Sequence, residues 1–340
     1  MTKAYALTDG FGLDKLALID WPTEPVPYGH VRIAIEAVSL NRRDLLLVEG
    51  KYAPRLRFPA IPCSDAAGRI AEVGLGCTRL KAGDPVVAHM FPDWLAGTPS
   101  AEALRASLGG PARLGTLRTD IVLPEAGVLR VPVHLDAREA ATLPCAAITA
   151  WAAVAKFGRA RPGRTVLIQG TGGVSIFALQ FAKLLGATIT ATSSSPEKLE
   201  RLRELGADTV LNYRDDPAWS EKARASTDGG FDLVVEVVGG ESLDTAIRLL
   251  KPGGMVAVIG QLAGNTAQVT LPLVVMRQIA LQGVTCGSLE DFRDMLAAME
   301  TVKLKPVISH VVPFSRAHEA FVLMRDGSHV GKIVVDVAGG

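Results

Sequence analysis

The sequence predicts an α/β protein in which a doubly wound parallel sheet follows a compact all-β unit. Three observations carry this. Residues 165–198 read TVLIQGTGGVSIFALQFAKLLGATITATSSSPEK, a β-branched and aliphatic run, a glycine turn, an apolar helix and a second strand. From Asp136 onward, helical patterns alternate with apolar strands at 209–212, 231–238, 255–260 and 280–285. Before about residue 135 the chain is instead rich in Gly and Pro and breaks into short strands.

In chain order, 30–40 alternates at Val31, Ile33, Ile35 and Ala37, as a half-buried strand does, and 66–73, 85–90 and 120–131 follow between turns. AEALRASLGG, within 91–117, is helix-like. Residues 165–169 have the length and composition of a buried parallel strand, 176–185 form the following helix, Gly186 stops it, and 188–192 form the next strand. A helical pattern at 314–326 precedes a last strand at 332–337, free to return to the first unit. The expected division is 1–135 with 289–340, and 136–288.

Composition narrows the function classes. Forty-eight per cent hydrophobic residues and a net charge of +1 point to a sizeable core and away from nucleic acid or a membrane surface as partner. The first residues, MTKAYALTDGFG, lack the apolar core of a signal peptide, and the apolar stretch 140–155 is too short to span a bilayer and contains Pro144. A cytoplasmic enzyme is expected. The four cysteines, at 63, 77, 145 and 286, are too scattered for a disulfide framework or a paired-cysteine metal knuckle.

The glycine turn carries the chemistry. Gly170 permits a sharp turn, and Gly172 leaves no side chain where a pyrophosphate must approach the amides of the helix opened by Gly173 and Val174. Ser175 stands where a third glycine is usual, small enough for close helix packing. An ordinary strand-to-helix turn is the alternative; the flanking strands and helix favour a dinucleotide. An NAD site places an Asp or Glu about 20 residues on, for the ribose 2′-hydroxyl. Here Ser193, Ser194 and Ser195 occupy that place, with Lys198 in the next helical turn. Hydroxyls and an ammonium suit a 2′-phosphate, so NADPH is expected over NADH. Ser195 also reads as an N-cap before Pro196, and Lys198 as a solvated charge.

Together with TLPCAAITAW (142–151), LGADTVLNYR, LKPGGMVAVIG and the closing GKIVV, the turn GTGGVS resembles the medium-chain dehydrogenase/reductase superfamily through nearly the whole chain. Within it the chain looks most like the zinc-independent quinone oxidoreductases and the alcohol dehydrogenase-like proteins beside them. The resemblance implies a GroES-like domain, a Rossmann domain, and substrate bound in the cleft between them. Zinc-dependent relatives supply Cys, then His in a Gly-His-Glu motif, then Cys or an acid. Here those places hold Asn41, then Cys63-Ser64-Asp65 with serine for histidine, then Cys145. One matching thiolate does not hold a catalytic zinc. A substitute set of Cys63, Asp65 and Cys145 has suitable donor types, although Cys63 stands at the glycine position. The expectation is no zinc.

Without a metal, an oxyanion formed by hydride transfer needs hydrogen-bond donors. Asn41 offers an amide, Ser64 a hydroxyl and Tyr52 a phenol. Asn41 and Tyr52 match cleft positions of the quinone oxidoreductases, and Asp44 matches a residue that holds the active-site loop. Asn41 reads equally as a cap for a helix from Arg42, and Tyr52 as a packed loop aromatic. By the same resemblance Thr149 touches the nicotinamide or its phosphates, Ser194, Lys198 and Tyr213 hold the 2′-phosphate, Val238, Gly260, Gly287 and Ser288 lie at ligand-binding strand ends, and Lys332 lies near the pyrophosphate, where Asn41 also contributes. The expected activity is reduction of a small hydrophobic quinone, enone or aldehyde, or the reverse oxidation of an alcohol. The alternative is a non-catalytic NADPH-binding sensor or structural protein. The substrate is expected among loops around 52–57 and 91–114, and a homodimer through an edge strand at 280–285.

Overall fold

The computed structural model describes residues 1–339 and divides them into two compact units, 1–148 with 288–339, and 149–287. Among the described residues there are fifteen strands, β1 to β15 in chain order. In the first unit β1 (Thr2–Leu7) and β2 (Leu16–Trp21) form an antiparallel pair. A larger sheet contains β3 (His30–Leu40), β4 (Asp65–Val73), β5 (Pro85–Ala88), β6 (Asp120–Pro124) and β7 (Val128–Arg130). In the second unit lie β8 (Thr165–Gln169), β9 (Thr188–Ser193), β10 (Thr209–Asn212), β11 (Phe231–Glu236), β12 (Leu250–Val258) and β13 (Ala280–Gly283). The chain then returns to the first sheet with β14 (Ile308–Pro313) and β15 (Lys332–Asp336), where β15 pairs antiparallel with β3.

The second unit's sheet runs β10-β9-β8-β11-β12-β13, parallel throughout. Successive strands run outward one way from β8 and then, from β11, the other way. That reversal between β8 and β11 is the switch point at which doubly wound sheets bind ligands beyond their carboxyl ends. Both faces of β8 are covered, so Val166, Leu167 and Ile168 are all fully buried, which is why the run is apolar rather than alternating. Phe177 and Phe181 on the helix Gly173–Leu184 stack with their centroids 5.9 Å apart, and each buried ring contributes about 2–3 kcal/mol by removal from water.

The first unit's core joins alternate residues of β3, among them Val31, Ile33 and Ile35, to Ile333 and Val335 of β15 and to Phe321 of the helix Ala317–Asp326. Three local expectations change. The strand expected over 120–131 is interrupted by a turn at Glu125–Gly127, because the Glu125 carboxylate accepts the amides of Thr78, Arg79 and Leu80 and pulls the chain aside. The helix expected at 101–110 is confined to Ala101–Arg105. Residues 137–147 pack with the first unit, and the division falls after Ile148 rather than at 135.

Candidate functional site

Two groupings stand out, one in each unit. In the parallel-sheet unit, Gly170 has φ +75°, a left-handed conformation that favours glycine, and donates its N–H to Thr192. Gly172 caps the helix Gly173–Leu184 without a side-chain partner, and a methyl group built on it would meet nothing within 4 Å. That open space lies against helix amides that lack intrahelical acceptors, an arrangement fit for a pyrophosphate. Val174 follows in the helix's first turn. Ser175 is 2% exposed and donates to the Gln169 carbonyl at 2.7 Å, tying helix to strand.

Ser193 ends β9, and the Tyr213 amide beyond β10 donates to the Ser193 carbonyl at 3.2 Å, so Tyr213 and the serines emerge side by side. Ser193 is buried, Ser194 half-buried and Tyr213 47% exposed. Ser195 caps the helix Pro196–Glu204, accepting from Lys198 N and donating to the Glu197 carboxylate, so its hydroxyl is committed locally. Lys198 stands one turn on, its ammonium held below the ordinary lysine value by desolvation. Gly260 follows β12 tightly against the preceding loop: a Cβ there would approach the Val237 carbonyl to 1.9 Å. Thr149, 2% exposed, lies 3.5 Å from the Thr285 carbonyl.

In the first unit, β3 ends at Asn41 and the helix Arg42–Val48 begins. Asp44 accepts the Asn41 amide N–H at 2.8 Å, closing that turn. The Asn41 side chain is oriented by Lys332 on the adjacent strand β15: Nζ donates to Asn41 Oδ1 at 2.6 Å and to the Leu40 carbonyl at 2.7 Å, and lies 3.6 Å from Asp65. An ammonium only donates, so the facing atom must be the amide oxygen, and Nδ2 points elsewhere as a buried donor without a partner. Burial is the main reason the Asp44 carboxyl rises to about 6, with Asp65 adding to it and Arg43 and Lys332 opposing. Arg43 donates to the Leu108 and Gly109 carbonyls and to Ser107 Oγ, and its guanidinium stacks 4.8 Å from the centre of the Tyr52 ring.

Several expected roles change with these partners. Ser64, fully buried, donates to Asp65 Oδ1 at 2.8 Å, which leaves no hydroxyl proton for a substrate oxygen. Lys332, 2% exposed, is an internal cation of the first unit's sheet and not an anchor for pyrophosphate. Ser288 caps the helix Leu289–Val302, donating to Asp291 at 2.7 Å, and belongs to the first unit. Gly287, beside it, is the last residue of the second unit, and Val238 donates its N–H to Glu236 at 3.0 Å.

The metal question is one of donors. Asp65 already accepts from Ser39 and Ser64 and faces Lys332. Cys63 has φ +72°, the conformation its glycine position calls for, and burial together with Asp44 and Asp65 pushes its thiol well above the ordinary value. Among the described residues no three His, Cys, Asp or Glu side chains are grouped to hold a metal. Asp65, already accepting two hydroxyls and facing an ammonium, is a poor third donor beside Cys63 and Cys145 for a catalytic zinc. Tyr52 lines a recess of about 580 Å³ with Arg55, Arg105 and Ser107.

Sequence reasoning missed two groups. Glu236, fully buried at the end of β11, accepts the amides of Val238 and Gly239 at 3.0 and 2.9 Å and shapes the loop at the switch point; an acid closing an apolar strand was the available signal. Arg43 lay in plain sight in NRRD, but nothing local shows that it stacks on Tyr52.

Comparison with known proteins agrees with this layout. Residues 27–133 match the alcohol dehydrogenase GroES-like domain and 173–301 match the family described as zinc-binding dehydrogenase. The chain is 40% identical to a zinc-type alcohol dehydrogenase-like protein of Schizosaccharomyces pombe over 91% of each chain. It superposes on the crystal structure of an alcohol dehydrogenase candidate from Sinorhizobium meliloti 1021 with a TM-score of 0.92 and 35% identity, covering 99% of this chain and 98% of that one. An NAD-dependent alcohol dehydrogenase structure gives a TM-score of 0.88 at 31% identity, over 98% of this chain and 99% of that one.

Proposed function

The chain belongs to the alcohol dehydrogenase-like branch of the medium-chain dehydrogenase/reductase superfamily and is an NAD(P)H-dependent oxidoreductase, and we propose that it works with NADPH, without zinc, on a quinone, enone or aldehyde. The observation that carries the cofactor reading is the open turn at Gly172 followed, at the end of β9, by serines where an NAD site has a carboxylate. A solved relative is NAD-dependent, so the argument rests on this strand end and not on kinship. Ser193, Ser194, Lys198 and Tyr213 are proposed to surround the 2′-phosphate. Ser195 serves as their helix cap.

When bound, the nicotinamide supplies a hydride. The chain's own part is to receive the charge that develops on the substrate oxygen. Asn41 Nδ2 is the donor for it, pre-oriented because Lys332 holds Oδ1 and Asp44 holds the backbone. Asp44 is thus a positioning residue, not a proton carrier. Tyr52, on the recess wall, supplies a phenol proton to a carbonyl that needs one, and a quinone can take its proton from water. The donor set described above supports a metal-free site, although the relatives' name includes zinc.

We further propose a homodimer built along β13, the sheet's edge strand. Leu281 is 42% exposed there, and Leu271, Val275 and Met276 of the preceding helix are 64%, 70% and 81% exposed. Among the described residues no helix is long and apolar enough to cross a membrane. Lys198→Glu tests the cofactor reading. It should raise KM for NADPH at least about tenfold more than KM for NADH, and an equal effect on both would remove the 2′-phosphate role.

A further inference from the structure

The recess beside Tyr52 does not look like a purely hydrophobic pocket. Arg55 and Arg105 line it, and no carboxylate does. Both side chains are exposed, and among the described residues neither has an ion pair or a hydrogen bond from its guanidinium. Other arginines of the neighbourhood are committed: Arg113 pairs with Asp93 at 3.0 Å, and Arg43 donates to three acceptors. The nearby acids are engaged too, Asp93 by Arg113 and Glu49 by Lys51 and Arg325. Glu102, on the same short helix as Arg105, is not among the lining residues.

A buried cation stands behind this wall. The Arg43 side chain is 10% exposed, lies over the Tyr52 ring, and has an Nε–H with no acceptor. Ser107, 3% exposed and also lining the recess, accepts from Arg43 at 3.2 Å, which leaves its own O–H proton to donate. Two unpaired guanidinium forks and a polarised hydroxyl, in a recess that no acid lines, make up a set that binds an anion, while the Arg43 charge behind them is shared with Asp44 at 3.8 Å.

We propose that this recess binds a carboxylate or phosphate group, and that the substrate is a carbonyl compound carrying such a group away from its reacting end. The substrate class rests on the reading that the chain reduces carbonyl compounds; the anion site does not.

Two measurements separate the claims. Isothermal titration of the full chain with benzoate, and separately with inorganic phosphate, reads the anion site without turnover. At least one should bind saturably, and Arg55→Ser/Arg105→Ser should weaken it at least about tenfold; the two titrants show which headgroup is preferred. Absence of binding, or equal affinity in the variant, overturns the anion site. NADPH oxidation with terephthalaldehydic acid and with its methyl ester reads the substrate class. The acid should exceed the ester in kcat/KM by about tenfold or more, and the ratio should fall toward one in the double variant. If neither aldehyde is reduced while arginine-dependent anion binding is seen, the carbonyl-reduction reading fails and the anion site stands. If both are reduced at the same efficiency and no anion binds, the reverse holds.

Discussion

Replacing Gly172 with valine should uncouple folding from nucleotide binding. Gly172 has φ −71° and ψ 178°, an extended conformation open to any residue, and an added Cβ meets nothing within 4 Å. The folding cost is therefore that of a poorer N-cap, about 1 kcal/mol, or a few degrees in Tm. The binding cost is much larger, because the new side chain occupies the space where a pyrophosphate must reach the helix amides. Losing two charge-assisted hydrogen bonds at about 1.5–3 kcal/mol each amounts to about 3–6 kcal/mol, a hundredfold or more in Kd. Gly170→Ala is the contrasting control. Its nearest neighbour is Ser175 Oγ at 3.9 Å, so space is ample, but φ +75° makes any Cβ strained by about 1–2 kcal/mol. Nucleotide fluorescence titration and thermal melts on both variants check the pair. Unchanged NADPH affinity in a folded Gly172→Val protein would refute the argument that this turn receives the pyrophosphate.

Lys332→Met should destabilise the first unit by about 3–5 kcal/mol, since it leaves Asp65 buried opposite no cation and frees the Asn41 amide to turn; a melt showing no loss would contradict the buried pairing. Asp232→Ala removes a carboxylate that, against the upward push of burial, the Thr165 amide, Lys251 and Arg164 hold down at about 2. A lowered carboxyl gives stability above its unfolded value that is lost as pH falls toward the folded one, so the variant should be about 2 kcal/mol less stable at neutral pH and the gap should close below pH 4. Asp44 has the opposite sign. Raised to about 6, it contributes stability below the ordinary aspartate value of 3.8 that is lost as pH rises through 6, so wild type should gain up to about 3 kcal/mol from pH 7 to 4 over an Asp44→Asn protein in urea melts.

Strands were legible where composition alone decides. Thr165–Gln169 and Thr209–Asn212 fall where their β-branched runs lie, and His30–Leu40 where apolar residues alternate. The pair β1 and β2 went unread because Thr2–Leu7 is short and its pattern depends on a partner beyond a turn. β14 carries His and Ser among its valines and is identified only by pairing with β15. Lys332, expected near the pyrophosphate by resemblance, shows its partners only in three dimensions, because the folding of β15 against β3 is what sets it against Asn41 and Asp65. The Gly172 turn was readable because it is local, whereas Ser64 lost its expected role to Asp65, a neighbour whose geometry sequence does not show.

The central claim is metal-free reduction with NADPH, and a single preparation tests it. The purified chain is dialysed against a strong zinc chelator, its zinc content is measured, and NADPH oxidation is followed across quinones, enones and aldehydes. The account predicts turnover retained with well below one zinc per chain. Activity that disappears with the metal and returns on adding zinc would contradict it.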